Sequence, residues 1–333
     1  MKRFVDLADF EREEVVDLLA LAQQLKDDPQ PTALAGKVLG LLFLNPSLRT
    51  LASFQAAMSR LGGSSFVITS GQGTWNVELK DGAVMDGNAA EHVREAIPVL
   101  ASYCDVLGIR AFAAGRSLAD DLEETQFNLF SSLCDKPLVN LESAANHPCQ
   151  ALADWKTLDD LGVPRRGRLV LSWVNHPRAL PLAVPAATVH MAAQRGMDVV
   201  VLRPEGYALP AAVMERARRA AAASGGSLTE TCDRDAALTG AHVVYAKEWG
   251  SPGHYGDADA ETTLRRGLKD WCVTESWFGA ARPDCHFMHC LPVRRNVAVA
   301  DHVLDGPRSR VVAGAANRLT VQTAVLHRML AAR

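Results

Sequence analysis

The fold of this chain is decided by the stretch VLGLLFLNPSLRTLASFQAAMSRLGG, residues 38–63. An aliphatic run ends at the turn Asn45-Pro46-Ser47, and beyond it apolar residues recur every three or four positions, at Leu51, Phe54, Met58 and Leu61. The run predicts a buried strand, and the spacing predicts a helix with one apolar face that ends at Gly62-Gly63. A buried strand followed at once by an amphipathic helix is the repeating unit of a parallel sheet.

The same alternation of apolar runs and helical patterns continues along the chain. We predict a second helix from the apolar spacing of residues 93–104 and a linking helix over residues 147–162. Continuous apolar strands that alternate with helices indicate an α/β protein with two doubly wound parallel-sheet domains, divided near residues 150–165. The predicted strands cover residues 37–44, 65–69, 106–110, 137–141, 168–174, 197–203, 242–246, 286–290 and 309–313.

The composition excludes several classes of protein. Of the 333 residues, 48% are hydrophobic and 22% are charged, which allows a large core and argues against disorder. The formal net charge is −3, without the basic surplus that a nucleic-acid partner needs. No apolar stretch reaches the ~18 residues of a membrane helix, and the charges in the first residues argue against a signal peptide. Seven irregularly spaced cysteines indicate a reduced, cytoplasmic protein with free thiols.

Arginines and hydroxyls collect where the predicted strands end. Arg49, Arg110 and Arg318 each follow a predicted strand, and Ser47 and Thr50 flank Arg49 at a helix start. In open α/β sheets ligands bind at the carboxyl ends of the strands, and a helix N-terminus with guanidinium groups suits a phosphate. The glycines of a Walker loop or a dinucleotide fingerprint are missing from this turn. The alternative interpretation of this stretch alone is an ordinary capped helix with a surface arginine.

The motif HPCQ, residues 147–150, adds groups for a carbonyl and an amide. His147 and Gln150 supply a neutral donor or acceptor and an amide that does both. By itself the motif also fits a buried histidine before a helix. Together with three arginines, it predicts a ligand with both a phosphate and a carbonyl-amide group, and carbamoyl phosphate has both.

The segment CHFMHC, residues 285–290, carries two thiols and two imidazoles but does not predict a metal site. Alternate residues of a strand face opposite sides, so the two histidines lie on different faces. No second CxxC pair completes a ligand set. The loop that follows offers backbone carbonyls and the cations of Arg294 and Arg295.

Four motifs, in order, resemble those of the aspartate/ornithine carbamoyltransferase family, and the resemblance covers essentially the whole chain. SLRT resembles the phosphate motif, HPCQ the carbamoyl motif, HCLP the loop of the ornithine enzymes, and the NR of AANR the last arginine of the family. The family implies an enzyme that acts on small-molecule substrates, without a metal or organic cofactor. It also implies a homotrimer whose neighbouring chains share active sites.

The resemblance also implies a division of the chain. The carbamoyl phosphate-binding domain is expected over residues 1–150, rejoined by a C-terminal helix over residues 318–333. The domain that binds the amino-acid substrate is expected over residues 151–317.

One departure indicates the N-acylornithine branch of the family. Ordinary ornithine enzymes have an aspartate after the late strand that faces the free α-ammonium, whereas this chain has Lys247 in YAKEWGSPG. A lysine would repel an ammonium, so an acylated α-amine is expected, with Lys247 pairing with the α-carboxylate instead. The segments GTWNVE, VMDGNAAEH, NLESAANHPCQ and HPRALPLAVP also resemble this branch. In that branch the last of these loops belongs to a trefoil knot, which we therefore expect in the second domain.

The position of Ala90 bears on the acyl group. The acetyl-type enzymes have a glutamate there and the succinyl-type enzymes a proline. Without the glutamate, Arg294 and Arg295 would be free to bind a succinyl carboxylate. We therefore favour N-succinyl-L-ornithine over N-acetyl-L-ornithine.

The resemblance assigns roles to individual residues. The acid in contact with the substrate is expected to be Glu142, and Trp75 is expected to complete a neighbour's phosphate site. The catalytic residues expected are Thr50, Arg110, His147 and Cys290. The carbamoyl phosphate-binding residues expected are Ser47, Leu48, Arg49, Thr50, Trp75, Arg110, His147, Gln150, Leu291 and Arg318. The acylornithine-binding residues expected are Ala90, Glu142, Lys247, Cys290, Leu291, Arg294 and Arg295.

Two departures keep other functions open. Leu51 replaces a second arginine of the phosphate motif, and Gly314 stands where the family usually has a glutamate. The alternatives are a catalytically silent or regulatory paralogue and a carbamoyltransferase for another amine. A dehydrogenase of the doubly wound type is more distant, because the glycine fingerprint is missing.

Overall fold

The computed structural model describes residues 1–331, and the chain divides into two compact units. Unit 1 contains Met1–Ala114, Ala119–Cys149 and the chain from Arg318 onward. Unit 2 contains Gly115–Leu118 and Gln150–Asn317. Residues 332 and 333 of the helix expected over residues 318–333 lie outside the described residues.

Strands and helices alternate along both units. The strands are β1 Arg3–Phe4, β2 Val38–Phe43, β3 Ser64–Thr69, β4 Val77–Glu78, β5 Glu91–His92, β6 Val106–Arg110, β7 Leu138–Glu142, β8 Arg168–Trp173, β9 Asp198–Leu202, β10 Ser227–Thr231, β11 Val243–Lys247 and β12 His286–Met288. The helices are α1 Arg12–Asp27, α2 Leu48–Arg60, α3 Val93–Ser102, α4 Leu118–Leu122, α5 Thr125–Leu133, α6 Pro148–Asp160, α7 Ala183–Arg195, α8 Ala211–Ser224, α9 Arg234–Leu238, α10 Ala258–Arg266, α11 Asp301–Leu304 and α12 Val311–Leu330. Short 3-10 turns cover Leu7–Asp9, Pro252–His254 and Glu275–Phe278.

Unit 1 is built on a parallel sheet with the strand order β1-β7-β6-β2-β3. The central strands β2 and β6 are buried almost throughout, as their apolar runs predict. Helix α2 packs an apolar face that includes Phe54 and Met58, both fully buried. Burying such a side chain stabilises the fold by roughly 1.5–3 kcal/mol. The helix predicted from the opening stretch is therefore a structural support of this sheet.

Close packing requires a glycine in the middle of β2. A Cβ added at Gly40 would lie 2.9 Å from the ring of Phe66 and 3.1 Å from the Sγ of Cys104. Both distances are too short for ordinary contact, so any side chain here would force the ring of Phe66 and the thiol of Cys104 to shift.

Unit 2 is built on a second parallel sheet, with the strand order β10-β9-β8-β11-β12. Strands β8 and β11 are neighbours in this sheet. Trp173, the last residue of β8, and Tyr245, in the middle of β11, are both fully buried. The two parallel sheets confirm the predicted doubly wound α/β fold. The trefoil knot stays a prediction.

One predicted strand is wrong, and others were missed. Residues 309–313 pair with the sheet only through the bridge between Ser309 and Phe287, and helix α12 begins at Val311. The Val311-Val312 pair suggested a strand, but the alanine-rich sequence behind it favours a helix. The strand predicted over residues 286–290 ends at Met288. Strand β10 was missed because it lies at a sheet edge and is only half buried.

No helix within residues 1–331 is both long enough and apolar enough to cross a membrane.

Candidate active site

The turn between β2 and α2 forms the floor of the candidate site in unit 1. Ser47 caps α2 as predicted: its Oγ accepts the backbone N–H of Thr50 at 3.3 Å. The Oδ1 of Asn45 accepts the N–H of Phe112 at 2.7 Å, which ties this turn to the chain that follows β6. Thr50 is fully buried, whereas Leu48 is exposed at the helix start. The turn is thus held from both sides, with the N-terminus of a helix at its centre.

Three guanidinium groups lie around this turn. Arg110 ends β6 and is 7% exposed, and Arg318 lies on α12 and is 2% exposed. The Nη2 of Arg318 donates to the Oγ1 of Thr50 at 2.8 Å. Burial lowers the pKa of the Arg318 guanidinium, and the positive charges of Arg110 and Arg49 lower it further. The prediction that Arg318 follows a strand is wrong, because it lies inside a helix, but the residue joins the predicted cluster.

Glu142 supplies a negative charge to this cluster. It ends β7, and its Oε2 accepts a short hydrogen bond from the Nη1 of Arg110. The same oxygen lies 3.4 Å from the Nε2 of His147. The guanidinium of Arg110 also stacks over the ring of Phe112, with 4.5 Å between its Cζ and the ring centroid. Both partners of this ion pair are buried, so Glu142 offsets part of the charge that the arginines bring into the interior.

His147 is held neutral. Burial lowers the pKa of its imidazole well below the usual value, and the charges of Arg318, Arg110 and Arg49 add to this effect. Within residues 1–331, the buried Nδ1 of His147 and the buried Nε atoms of Arg110 and Arg318 have no hydrogen-bond partner. Because buried polar atoms are nearly always paired, this cluster of polar atoms is a candidate ligand site.

Trp75 and Ala90 lie together on the loop that carries β4 and β5. The N–H of Ala90 donates to the backbone oxygen of Asn76 at 3.2 Å, and the indole N–H of Trp75 donates to the Oε2 of Glu91 at 2.8 Å. Trp75 is 59% exposed. The loop therefore presents a large aromatic side chain to solvent, close to Ala90.

In unit 2 a buried group of charges lies where β11 ends. Lys247 is the last residue of the strand, and its Nζ lies 3.3 Å from the Oε1 of Glu248. The other oxygen of Glu248 lies 3.3 Å from the Nε2 of His289. Burial alone would raise the pKa of Glu248, but Lys247 and His289 hold the pKa well below its usual range. Glu248 is therefore a carboxylate that balances the buried lysine.

His289 also supports the backbone of the predicted HCLP loop. Its Nδ1 accepts the N–H of Leu291 at 2.8 Å, and Leu291 adopts the left-handed conformation with a φ of +57°. Residues with a Cβ adopt this conformation rarely, so the loop needs such support. Cys290, between these two residues, is buried. The Leu291–Pro292 peptide bond is cis.

The two arginines behind this loop differ. Arg295 donates to Asp301 at 2.8 Å and to both oxygens of Asp305 at 2.9 and 2.7 Å. The expectation that both arginines are free cations is therefore wrong for Arg295. The Nε of Arg294 lies 3.5 Å from the Nε2 of His176, and no described acid pairs with it. Arg294 is the cation of this pair that remains available.

Gln150 begins the part of α6 that belongs to unit 2, and it is buried. Its Nε2 donates to the Oδ1 of Asp154 at 2.9 Å.

The sequence did not predict two buried acids, Glu248 and Asp154. Glu248 directly follows Lys247, and Asp154 lies one helical turn after Gln150. An acid next to a lysine at a strand end, or at the i+4 position behind a motif residue, was the available signal.

Leu51 and Gly314, the two departures from the family pattern, both lie on helices. Leu51 lies half buried on α2. A Cβ added at Gly314 would lie 3.8 Å from the Oγ1 of Thr157 and 4.0 Å from the Oδ1 of Asp154, both ordinary contacts.

Among the described residues, no group of three or more His, Cys, Asp or Glu side chains is arranged to hold a metal ion.

Comparison with known proteins identifies the family. Residues 2–160 match the family model for "Aspartate/ornithine carbamoyltransferase, carbamoyl-P binding domain", and residues 184–329 match that for "Aspartate/ornithine carbamoyltransferase, Asp/Orn binding domain". The N-acetylornithine carbamoyltransferase of Xanthomonas campestris is 37% identical over 98% of this chain and 97% of its own length. The N-succinylornithine carbamoyltransferase of Bacteroides thetaiotaomicron is 36% identical over 88% of this chain and 87% of its own.

Among solved structures, a glutamate-to-alanine variant of N-acetyl-L-ornithine transcarbamylase superimposes with a TM-score of 0.94. It is 37% identical, and the match covers 99% of this chain and 100% of the other. That structure holds carbamyl phosphate and N-succinyl-L-norvaline. The chain therefore belongs to the aspartate/ornithine carbamoyltransferase family. Within that family it falls in the N-acylornithine branch, as its relatives show.

The buried pair of Arg110 and Glu142 makes a prediction for stability. An Arg110→Met variant leaves the carboxylate of Glu142 unpaired in the interior, and we expect it to lose about 3 kcal/mol in the free energy of unfolding. A second change, Glu142→Gln, should recover more than half of this loss. Urea unfolding followed by circular dichroism measures both variants.

A matched control is Lys37→Met, which breaks the half-exposed pair of Lys37 with Asp105 in the same unit. We expect this control to lose less than about 1 kcal/mol. A double variant as unstable as Arg110→Met alone would contradict the charge balance described here.

Proposed function

We propose that this chain transfers the carbamoyl group of carbamoyl phosphate to the side-chain amine of N-succinyl-L-ornithine, or of N-acetyl-L-ornithine with lower preference. The products are the N-acyl-L-citrulline and phosphate, in arginine biosynthesis. The observation that carries the proposal is Lys247: where ordinary ornithine enzymes have an aspartate, this chain has a buried lysine with its own counter-ion, Glu248.

The cluster in unit 1 suits carbamoyl phosphate. Arg49, the N-terminus of α2 and Ser47 would hold the phosphate, with Leu48 and Trp75 around it. The Oγ1 of Thr50 accepts its hydrogen bond from Arg318, so the proton of its hydroxyl is left for the carbonyl oxygen. Thr50, Arg110 and His147 would together stabilise the negative charge that grows on this oxygen as the amine attacks. Each such donor contributes about 10²–10³ in rate.

The cluster in unit 2 suits an acylated amino acid. Lys247 would pair with the α-carboxylate, and an acyl group removes the ammonium that the lysine would repel. Glu142, Cys290 and the carbonyl of Leu291 would contact the reacting end of the substrate, as the family resemblance implies. The attacking amine has to be neutral, and its proton passes either to Cys290 or to the departing phosphate.

Three observations support the succinyl group. Ala90 carries no charge, and the neighbouring Glu91 directs one oxygen of its carboxylate toward the indole N–H of Trp75. Arg294 lacks an acidic partner among the described residues and would bind the succinyl carboxylate. The acetylornithine enzyme whose solved structure holds N-succinyl-L-norvaline is a variant in which a glutamate has been replaced by alanine.

Trp75 supports an assembly in which neighbouring chains share their sites. Trp75 is 59% exposed and Ala90 on the same loop is also exposed, so both side chains are accessible to a neighbouring chain. The family resemblance implies a homotrimer, in which this loop would reach the next chain.

The first test is initial-rate formation of citrulline compounds from carbamoyl phosphate with L-ornithine, N-acetyl-L-ornithine and N-succinyl-L-ornithine in parallel. We expect turnover of an acyl substrate and none of L-ornithine, because Lys247 repels a free ammonium. Turnover of L-ornithine alone would contradict the role of Lys247. Inactivity with all three would favour the silent paralogue, or an enzyme for another amine.

The acyl preference is tested at Ala90. An Ala90→Glu variant should lower kcat/KM for the succinyl substrate by about tenfold or more relative to the acetyl substrate, because two carboxylates would then repel each other. Ala90→Gln has the same size without the charge and should keep the original preference. Equal behaviour of the two variants would mean that size, and not charge, sets the acyl group.

Shared sites are tested by mixing two inactive variants, Trp75→Ala and Lys247→Met, after mild dissociation and reassembly. If each site takes Trp75 from one chain and Lys247 from its neighbour, about a quarter of the sites in a random mixture become intact. The control is each variant dissociated and reassembled alone, which should stay inactive. A mixture with no more activity than these controls would argue against sharing.

A further inference from the structure

Gln150 belongs to a buried chain of hydrogen bonds in unit 2. Its side chain is 3% exposed, and its Nε2 donates to the Oδ1 of Asp154 at 2.9 Å. The Oδ2 of Asp154 accepts the hydroxyl of Tyr245, on β11, also at 2.9 Å. Asp154 is 2% exposed, and Tyr245 is fully buried. Because both oxygens of the carboxylate are engaged, its position relative to Gln150 is fixed.

These hydrogen bonds determine which end of the Gln150 amide points away from Asp154. An ionised carboxylate only accepts hydrogen bonds, so the amide has to turn its NH₂ toward Asp154 and its oxygen away. Burial raises the pKa of Tyr245 well above its usual value, and the charge of Asp154 adds to this effect, so the hydroxyl remains a donor. Both bonds to Asp154 therefore run in one direction.

The Oε1 of Gln150 is the atom left over. It is buried, and none of residues 1–331 donates a hydrogen bond to it. A buried acceptor without a donor costs about 1–3 kcal/mol, so a ligand with an N–H at this point is favoured over one without. The carbamoyl group has such an N–H, whereas an acetyl group of nearly the same shape has a methyl.

We propose that Asp154, fixed by Tyr245, is a positioning residue that keeps Gln150 as a hydrogen-bond acceptor, so that the site selects a carbamoyl group over an acyl group of the same shape. This inference rests on the proposed function and adds to it the source of the selectivity at the reacting group. Asp154 itself does not touch the substrate.

The test compares two unreactive phosphonates in titration calorimetry, without the second substrate. Phosphonoacetamide carries the NH₂, and 2-oxopropylphosphonate carries a methyl in its place. We expect the wild-type chain to prefer the amide. In the Asp154→Asn variant the new amide can also donate a hydrogen bond, so the Gln150 amide can adopt either of its two orientations. The preference should then fall by about tenfold, which corresponds to one hydrogen bond. The affinity for the methyl ligand should change by less than about threefold.

Two further variants separate positioning from general damage. Tyr245→Phe keeps the carboxylate of Asp154 but removes its anchor, and it should lower the same preference by a smaller factor. Tyr207→Phe is the matched control, because it removes another buried tyrosine hydroxyl that lies 3.3 Å from the carboxylate of Glu261 in the same unit. The control should keep the wild-type preference.

The outcomes are distinct. If Asp154→Asn and Tyr245→Phe weaken both ligands equally, the two residues are structural only and the inference is wrong. If Asp154→Asn fails to fold, the preference of Tyr245→Phe decides: a wild-type preference there overturns the inference. If the wild-type chain binds neither phosphonate, the proposed function is contradicted, and the inference that rests on it is overturned as well.

Discussion

The ion pair between Arg110 and Glu142 sets the charge balance on which the candidate site depends. Arg110 and Arg318 are buried close to the neutral His147, and their mutual repulsion would be costly without a carboxylate among them. Glu142 provides it from the end of the neighbouring strand. The site can therefore keep strong donors for an anion while its protein surroundings remain stable. In unit 2 the buried cation of Lys247 is likewise balanced by a buried carboxylate, that of Glu248.

Most of the fold could be predicted from the sequence, because the buried strands of a parallel sheet have uninterrupted apolar sequences. The stretch that begins at Val38 shows why: burial on both faces leaves no room for polar residues until the strand ends. Polar side chains therefore mark the ends of the strands, and Arg110, Glu142 and Lys247 all occupy such positions. Strand β10 lacks such an apolar run, because a strand at the edge of a sheet is only partly buried.

The partners of the site residues could not be predicted in the same way. Arg318 comes from within a helix, and its bond to Thr50 joins residues that are 268 positions apart. Arg295 is held by two aspartates on the following turn and helix, which a motif comparison does not reveal. Motifs identify the residues that face a ligand, whereas the charges and hydrogen bonds behind them depend on packing between distant segments. Asp154 and Glu248 are acids that lie behind the motif residues in this way.

The bond between Thr50 and Arg318 has a consequence for protein synthesis. A ribosome adds about 5–20 residues per second, so on the order of ten seconds or more separate the completion of the unit 1 sheet from the arrival of Arg318. During this interval the sheet exists without one of the guanidinium groups of its anion site. Retention on an immobilised phosphonate would therefore distinguish released chains that contain Arg318 from chains truncated before it.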